Sequence, residues 1–286
     1  MPQTRPTHPA THLGVDSAAA GFLPAGDGHA TDSPDIVSSS DEYALRFAGP
    51  GGRYLLGEQA RAVGRLLQMA VGKQPTTAPS AALDVAGGHL QIAPILAAHG
   101  FSVVVQGSTP AFQSRVEPLA ECYPPGRVET RVGPLRRLPA EDREFDLVAN
   151  IRTLGHVTWW REFLAELCRV TRRHLLVEFA ARVGFQRAAD GLYGLKHMLE
   201  GDTRRFFTYD TADVAAELRV QGFRVVALER EFVLPIVLHR VAHRPTLSGR
   251  IEEVLRRLGL TTRFGTPVLL LAERVADAAA AGSYFP

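Results

Sequence analysis

Residues 83–91 read Leu83-Asp84-Val85-Ala86-Gly87-Gly88-His89-Leu90-Gln91, a short apolar run that breaks at two glycines. If the run is a buried strand feeding a helix, small residues at the turn let backbone N–H groups approach a ligand closely. Asp84 can then accept hydrogen bonds from a cationic or amide group. That is the chemistry of holding a small molecule against bare main chain, although paired glycines serve equally well as a plain tight turn. Between Ala180 and Tyr209, the residues Tyr193, Lys196, Arg204 and Arg205 stand near Phe206, Phe207 and Tyr209. Rings beside guanidinium groups can grip a planar or anionic molecule, and the same composition also suits a solvated helix anchored by a few aromatics. His239 belongs to a second segment, Pro235 to Gly265, that would complete a pocket or form a contact between two copies of the chain. Cys122 and Cys168 show no CxxC or Cys/His spacing, so both are expected to be buried thiols rather than zinc ligands or a disulfide.

The elements that would position these groups follow from pattern. Ala81–Ala86, Phe101–Gln106, Phe145–Asn150 and His174–Phe179 are mainly apolar stretches that read as strands, and Val128–Val132 is a weaker one. Helical spacing fills the intervals Leu90–Ala98, Pro110–Cys122 and Trp159–Arg172. A helix at Ala212–Gln221 and strands at Phe223–Val233 and Pro267–Glu273 complete the series. Near-continuous apolar strands alternating with helices require a mostly parallel sheet covered on both faces, so a doubly wound, seven-stranded Rossmann-like α/β fold is expected. In such a sheet ligands bind beyond the carboxyl ends of the strands, where strand order reverses.

Residues 1–40 are Ala/Thr/Ser/Pro/Gly-rich, without period, and are expected to form a disordered tail. N-terminal helices are expected over 41–75, interrupted by Gly49-Pro50-Gly51-Gly52, then a core over 76–180. A lid or substrate cap over 181–208, the rest of the sheet over 209–274 with a helical insertion at 235–265, and a tail over 275–286 complete the organisation. The 286 residues are 45% hydrophobic and 22% charged, with a net charge of +2 and mixed signs. No one-sided basic field points to nucleic acid. No apolar run approaches the roughly 20 residues of a bilayer span, and the N-terminus lacks a signal pattern. A soluble cytoplasmic protein is expected, with no membrane partner, no metal and a possible homodimer.

The stretch from about Asp41 to Arg274 resembles the class I S-adenosylmethionine-dependent methyltransferases of the bacterial small-molecule type. The first motif stands as Leu83-Asp84-Val85-Ala86-Gly87-Gly88. The segment after the fourth strand stands as Leu154-Gly155-His156-Val157, Trp160, Phe163-Leu164, Glu166-Leu167 and Arg169-Val170. Tyr43, Tyr54, Leu55 and Gln59 look like the N-terminal helices that fold over the cofactor. The resemblance implies S-adenosylmethionine with its methionine end against Asp84, Ala86, Gly87 and Gly88, beneath Tyr43. It implies the ribose by Gln106, Gly107 and Ser108, the adenine by Gly133, Pro134 and Leu135, and Asn150 and Ile151 facing the cofactor on the substrate side. His156 and Glu178 are the candidate bases, while Arg152, Tyr193, Lys196, Arg204, Arg205 and His239 are the candidate contacts to a small-molecule acceptor.

Four positions depart from the family pattern. Ala86 and Leu90 stand where glycines are expected, Gln106 stands where an acid usually holds the ribose hydroxyls, and the acid common beside the adenine is replaced near Pro134. Ala86 adds only a methyl provided its φ is negative, whereas Leu90 is harder to accommodate if φ is positive. The expected function is methyl transfer to a small acceptor by oxygen, nitrogen or carbon. The alternative is a methyltransferase-like domain that no longer methylates and acts as a binding or scaffold protein. A nicotinamide dehydrogenase would need G-x-G-x-x-G at the first turn, which this chain lacks.

Overall fold

The computed structural model describes residues 33–38, 40, 44–45, 47–71, 80–88, 90–182, 207–241 and 245–276. Seven strands form one sheet: β1 (Ala81–Val85), β2 (Ser102–Gly107), β3 (Val128–Val132), β4 (Phe145–Asn150), β5 (Thr171–Phe179), β6 (Phe223–Phe232) and β7 (Thr266–Arg274). Their order is β3-β2-β1-β4-β5-β7-β6, and only β7 runs against the rest. Strand order reverses between β1 and β4, which puts the crevice of a doubly wound sheet at the turn that leaves β1.

Side-chain alternation along each strand feeds two separate cores. On one face Leu83, Val148 and Leu175 pack with Phe163, Leu164 and Leu167 of α5 (Trp160–Val170) and with Val214 and Leu218 of α6 (Thr211–Val220). On the other, Ala82, Val105, Leu176 and Leu269 pack under α2 (Gly49–Val71), α3 (Ala93–Ala98) and α4 (Pro110–Ala120). The helices α7 (Ile236–Val241), α8 (Pro245–Arg257) and α9 (Leu260–Phe264) follow β6, and α7 and α8 pack on α2. Among the described residues no helix is long and apolar enough to cross a membrane.

Four details correct the sequence reading. Gly49-Pro50-Gly51-Gly52 opens α2 instead of interrupting it. Pro50 stands in the first turn, where its missing N–H is not needed, and a Cβ on Gly52 would fall 1.9 Å from the Phe47 carbonyl oxygen. The helix after the first turn begins at Ala93, not Leu90, because Leu90 takes a left-handed backbone that no helix tolerates. Order reaches into the stretch read as tail: α1 (Asp35–Ser38) lies there, and Asp35 is buried. Cys168 is buried as expected, but Cys122 is exposed.

Candidate active site

The turn leaving β1 is tied down at both ends. The Ala86 N–H donates to the Gln106 carbonyl at 2.7 Å, and the Leu90 N–H to that of Gly87 at 2.8 Å. Ala86 has φ +63° and Leu90 φ +46°, a region that costs a non-glycine residue about 1–2 kcal/mol. The condition under which Ala86 would be harmless, a negative φ, is therefore not met. Both side chains are buried, Ala86 in the α5 core and Leu90 in the α2 core. Gly87 lies directly over Asp84, and a Cβ there would fall 2.2 Å from the carboxylate Oδ2.

Asp84 is 1% exposed, and neither of its oxygens closes a hydrogen bond of full geometry among the described residues, although the Ala93 backbone N–H is directed at the carboxylate. Burial pushes its carboxyl up to about 7, against the pull of the Ala93 backbone N–H. Asn150, at the end of β4, donates from Nδ2 to the Val85 carbonyl at 3.0 Å and leaves Oδ1 buried without a partner among the described residues. Ile151 beside it is buried in the α2 core.

At the ends of β2 and β3 the polar groups are more occupied. The Gln106 amide donates to the carbonyls of Gly107 and Gly133, each at 3.0 Å, and so braces β2 against β3. Gly107 has no room for a side chain, since a Cβ would fall 2.1 Å from the Phe112 ring. The Ser108 N–H and Oγ–H donate to the two oxygens of Asp35, at 2.7 and 2.5 Å. A carboxylate therefore stands at the end of β2 although Gln106 does not provide one. Pro134 is exposed and Leu135 fully buried in the α5 core.

Beyond β4, β5 and β6 the structure gathers a polar set beneath α2. Arg152, with φ +66°, stacks its guanidinium 4.1 Å from the Phe47 ring and donates to Gln59 Oε1 at 2.6 Å. Gln59 in turn donates from Nε2 to Glu178 Oε2 at the end of β5. Burial pushes Glu178 up to about 7, with Arg152 pulling the other way. Glu231, at the end of β6, is 6% exposed, and its Oε1 has no hydrogen-bond partner among the described residues. Burial is the first cause, and the Glu178 charge the second, that drives its carboxyl well above the ordinary range.

The remaining candidates fall as follows. His156 closes the 3₁₀ turn Leu154–His156 and is partly exposed, with its N–H donated to the Thr153 carbonyl at 2.9 Å. The Tyr209 hydroxyl donates to the Leu154 carbonyl at 2.9 Å, and the Phe207 N–H to that of Gly155 at 2.8 Å, so this turn is braced from the chain entering α6. His239 is wholly buried between the rings of Tyr54 and Phe232. Its Nε2 lies 3.2 Å from Glu252, which also accepts the N–H groups of Val233 and Leu234. The arrangement pins α7 and α8 to the end of β6. Tyr43, Tyr193, Lys196, Arg204 and Arg205 lie outside the described residues. Among the described residues no group of three or more His, Cys, Asp or Glu is placed to hold a metal. A hollow of about 300 Å³ lined by Arg143, Arg172, Arg173, His174 and Arg274 opens at the amino end of β5, away from the crevice.

Sequence reasoning missed Asp35, Gln59 and Glu231 as site residues. Gln59 was visible only as part of the N-terminal resemblance. Glu229-Arg230-Glu231 reads as the charged guard of an edge strand, and β6 is indeed an edge, which hides the inward aim of Glu231.

The profile of the methyltransferase domain family matches residues 83–175, from β1 into β5. No curated protein matches the sequence. Among solved structures, magnesium protoporphyrin IX methyltransferase from Synechocystis PCC 6803 with bound S-adenosylhomocysteine superposes with a TM-score of 0.57 at 17% identity, covering 84% of this chain and 98% of that one. A SAM-dependent methyltransferase from Aquifex aeolicus gives 0.50 at 13% identity, covering 82% and 99%. The [4+2]-cyclase SpnF gives 0.51 at 16% identity, covering 75% and 81%. At these identities the likeness is one of fold.

Proposed function

Taking residues 83–175 as the methyltransferase domain they match, set in the fold of the class I S-adenosylmethionine-dependent methyltransferases, we propose that the protein transfers a methyl group from S-adenosylmethionine to a small organic acceptor. The observation that carries this reading is the set of buried oxygens without partners among the described residues at the strand-order reversal, both of Asp84 and Oδ1 of Asn150, beside the turn that holds Gly87 and Gly88. Buried polar atoms without partners are rare and mark places where a ligand supplies them. A cationic ligand suits a buried carboxylate held beneath main chain, so the residues present fit the cofactor.

Bound there, the cofactor supplies a sulfonium methyl that a lone pair takes by in-line displacement. What the chain contributes is placement. Gly87 and Gly88 offer main chain, Asp84 lies beneath them as the negative group, and Asn150 presents Oδ1 from β4. Asp35 and Ser108 stand at the end of β2, where the ribose would lie. On the acceptor side, Arg152, His156 and Glu178 line the ends of β4 and β5. Holding two reactants in line supplies much of the acceleration, and a base matters only where the acceptor must lose a proton.

Calorimetric titration of the full chain with S-adenosylmethionine and S-adenosylhomocysteine tests the reading. Saturable binding that is lost in Gly88→Val, with the fold retained, is the expected result. Absence of heat and of thermal shift at millimolar ligand would favour the second reading, a domain that no longer methylates. The observation behind that reading is specific: Ala86 and Leu90 hold side chains in the left-handed positions of the turn.

A further inference from the structure

Two carboxylates, Glu178 and Glu231, are buried beneath α2, and the Arg152 guanidinium acts on both. Glu178 on β5 lies level with Leu269 of β7, and the register continues across β7 to Glu229 of β6. Alternation then places Glu231, two residues on, on the same face of the sheet as Glu178, the face covered by α2. Among the described residues Arg152 is the cation whose charge acts on both. Its hydrogen bond among those residues goes to Gln59 Oε1, however, and not to either carboxylate. The other charges near Glu231 are Glu58 on α2 and Glu229 on its own strand. These have partners of their own: Glu58 in Arg61 and Arg256, Glu229 in Arg65.

The account of charge therefore does not close. A buried carboxylate needs a cation or several donors to remain ionised, and here Glu231 Oε1 has no partner among the described residues while being 94% buried with its residue. Among the described residues only the Arg152 charge offsets it, and Glu231 stands at the same carboxyl edge of the sheet as Glu178 and Asn150. We propose that Glu178 and Glu231 receive the ammonium group of the acceptor, which makes the acceptor a small amine and the reaction an N-methylation. This rests on the methyl-transfer reading above and specifies its acceptor.

The chemistry balances with groups on the page. The amine arrives as its ammonium, donating N–H bonds to Glu178 and Glu231, and gives one proton to Glu178. The freed nitrogen lone pair forms the N–C bond as the C–S bond of the donor breaks, and that electron pair stays on sulfur, which leaves as a neutral thioether. The methylated product departs as an ammonium, and Glu178 returns its proton to water. Burial supports the proton step, because a carboxyl held at about 7 takes a proton from an ammonium far more readily than an ordinary glutamate does. Arg152, stacked on Phe47, keeps the pair from becoming doubly protonated.

The test uses the full chain with S-adenosylhomocysteine present and three matched probes: benzylamine, benzyl alcohol and benzoate. At pH 8 benzylamine should bind more tightly than either of the others. Glu231→Gln and Glu178→Gln should each weaken it at least tenfold while changing S-adenosylhomocysteine affinity less than twofold. Glu231→Gln should also raise the melting temperature at pH 8 and leave it unchanged at pH 4, a pattern that a merely structural glutamate would reverse. Benzoate binding best, no discrimination among the probes, or benzylamine binding indifferent to both substitutions would each overturn the proposal. Failure of S-adenosylhomocysteine to bind would instead sink the methyl-transfer reading, and the amine preference would still be read by itself.

Discussion

Asp84 is the group whose replacement tests the turn most directly. Its carboxyl is held at about 7 against an ordinary 3.8, roughly three pH units, or about 4 kcal/mol at 1.36 kcal/mol per unit. The sign follows from proton counts. Between pH 3.8 and 7 the unfolded chain has lost this proton and the folded chain keeps it, so stability present below pH 3.8 is lost as pH rises through 7. Asn cannot ionise and is nearly the same size. Asp84→Asn should therefore match the native chain in urea unfolding at pH 3.5 and exceed it by up to about 4 kcal/mol at pH 8, with the gap opening between those limits. A second readout concerns the ligand. S-adenosylmethionine carries a sulfonium charge that S-adenosylhomocysteine lacks, and a cation over the turn favours ionised Asp84. The affinity ratio of the two should rise from pH 6 to pH 8 in the native chain and stay flat in the Asn variant. Parallel stability curves for the two proteins would refute the account of Asp84 as an unrelieved buried acid.

Two further substitutions separate packing from binding. Gly107→Ala should lower stability by about 1–3 kcal/mol through overpacking against Phe112, whose ring a Cβ would meet at 2.1 Å, and thermal unfolding measures it. Ala86→Gly removes a left-handed strain of about 1–2 kcal/mol and adds a chain-entropy cost of about 0.5–1 kcal/mol. A small gain in melting temperature is expected, and a loss would mean that the methyl's packing outweighs the strain.

How far the sequence carried depended on whether a residue's role is local. Strands β1, β2, β4 and β5 are apolar runs that only a covered parallel sheet can bury, and their positions were legible to within a few residues. Boundaries failed where one backbone angle decided them. Nothing in the letters Gly88-His89-Leu90 reveals that Leu90 takes φ +46°, so the apolar pattern starts the helix three residues before Ala93. Asp84 was legible because it interrupts an apolar strand. Asp35 was not, because an aspartate in a Ser/Pro-rich stretch is ordinary until Ser108 is seen to bind it. Glu178 and Glu231 are 53 positions apart and meet only because β7 enters antiparallel between their strands. No local pattern encodes that.

The departures at Ala86 and Leu90 bear on whether the turn needs a ligand to exist. A side chain stays in left-handed backbone only when its surroundings over-determine it. Here they do so from two directions. Ala86 is packed into the core under α5 and Leu90 into the core under α2, so each face of the sheet holds one end of the same loop. Glycines would leave such a loop free to adjust around a ligand, whereas these side chains fix its course before anything binds. The consequence is a rigid cradle that loses little entropy on binding and discriminates by shape. It cannot widen to accept a bulkier nucleoside. The same substitutions that mark the motif as altered thus act on selectivity, and Ala86→Gly should broaden the range of adenosyl analogues bound even if it tightens none of them. Analogue titrations of the two proteins by calorimetry measure that range, and an identical range would place the loop's rigidity elsewhere than in Ala86.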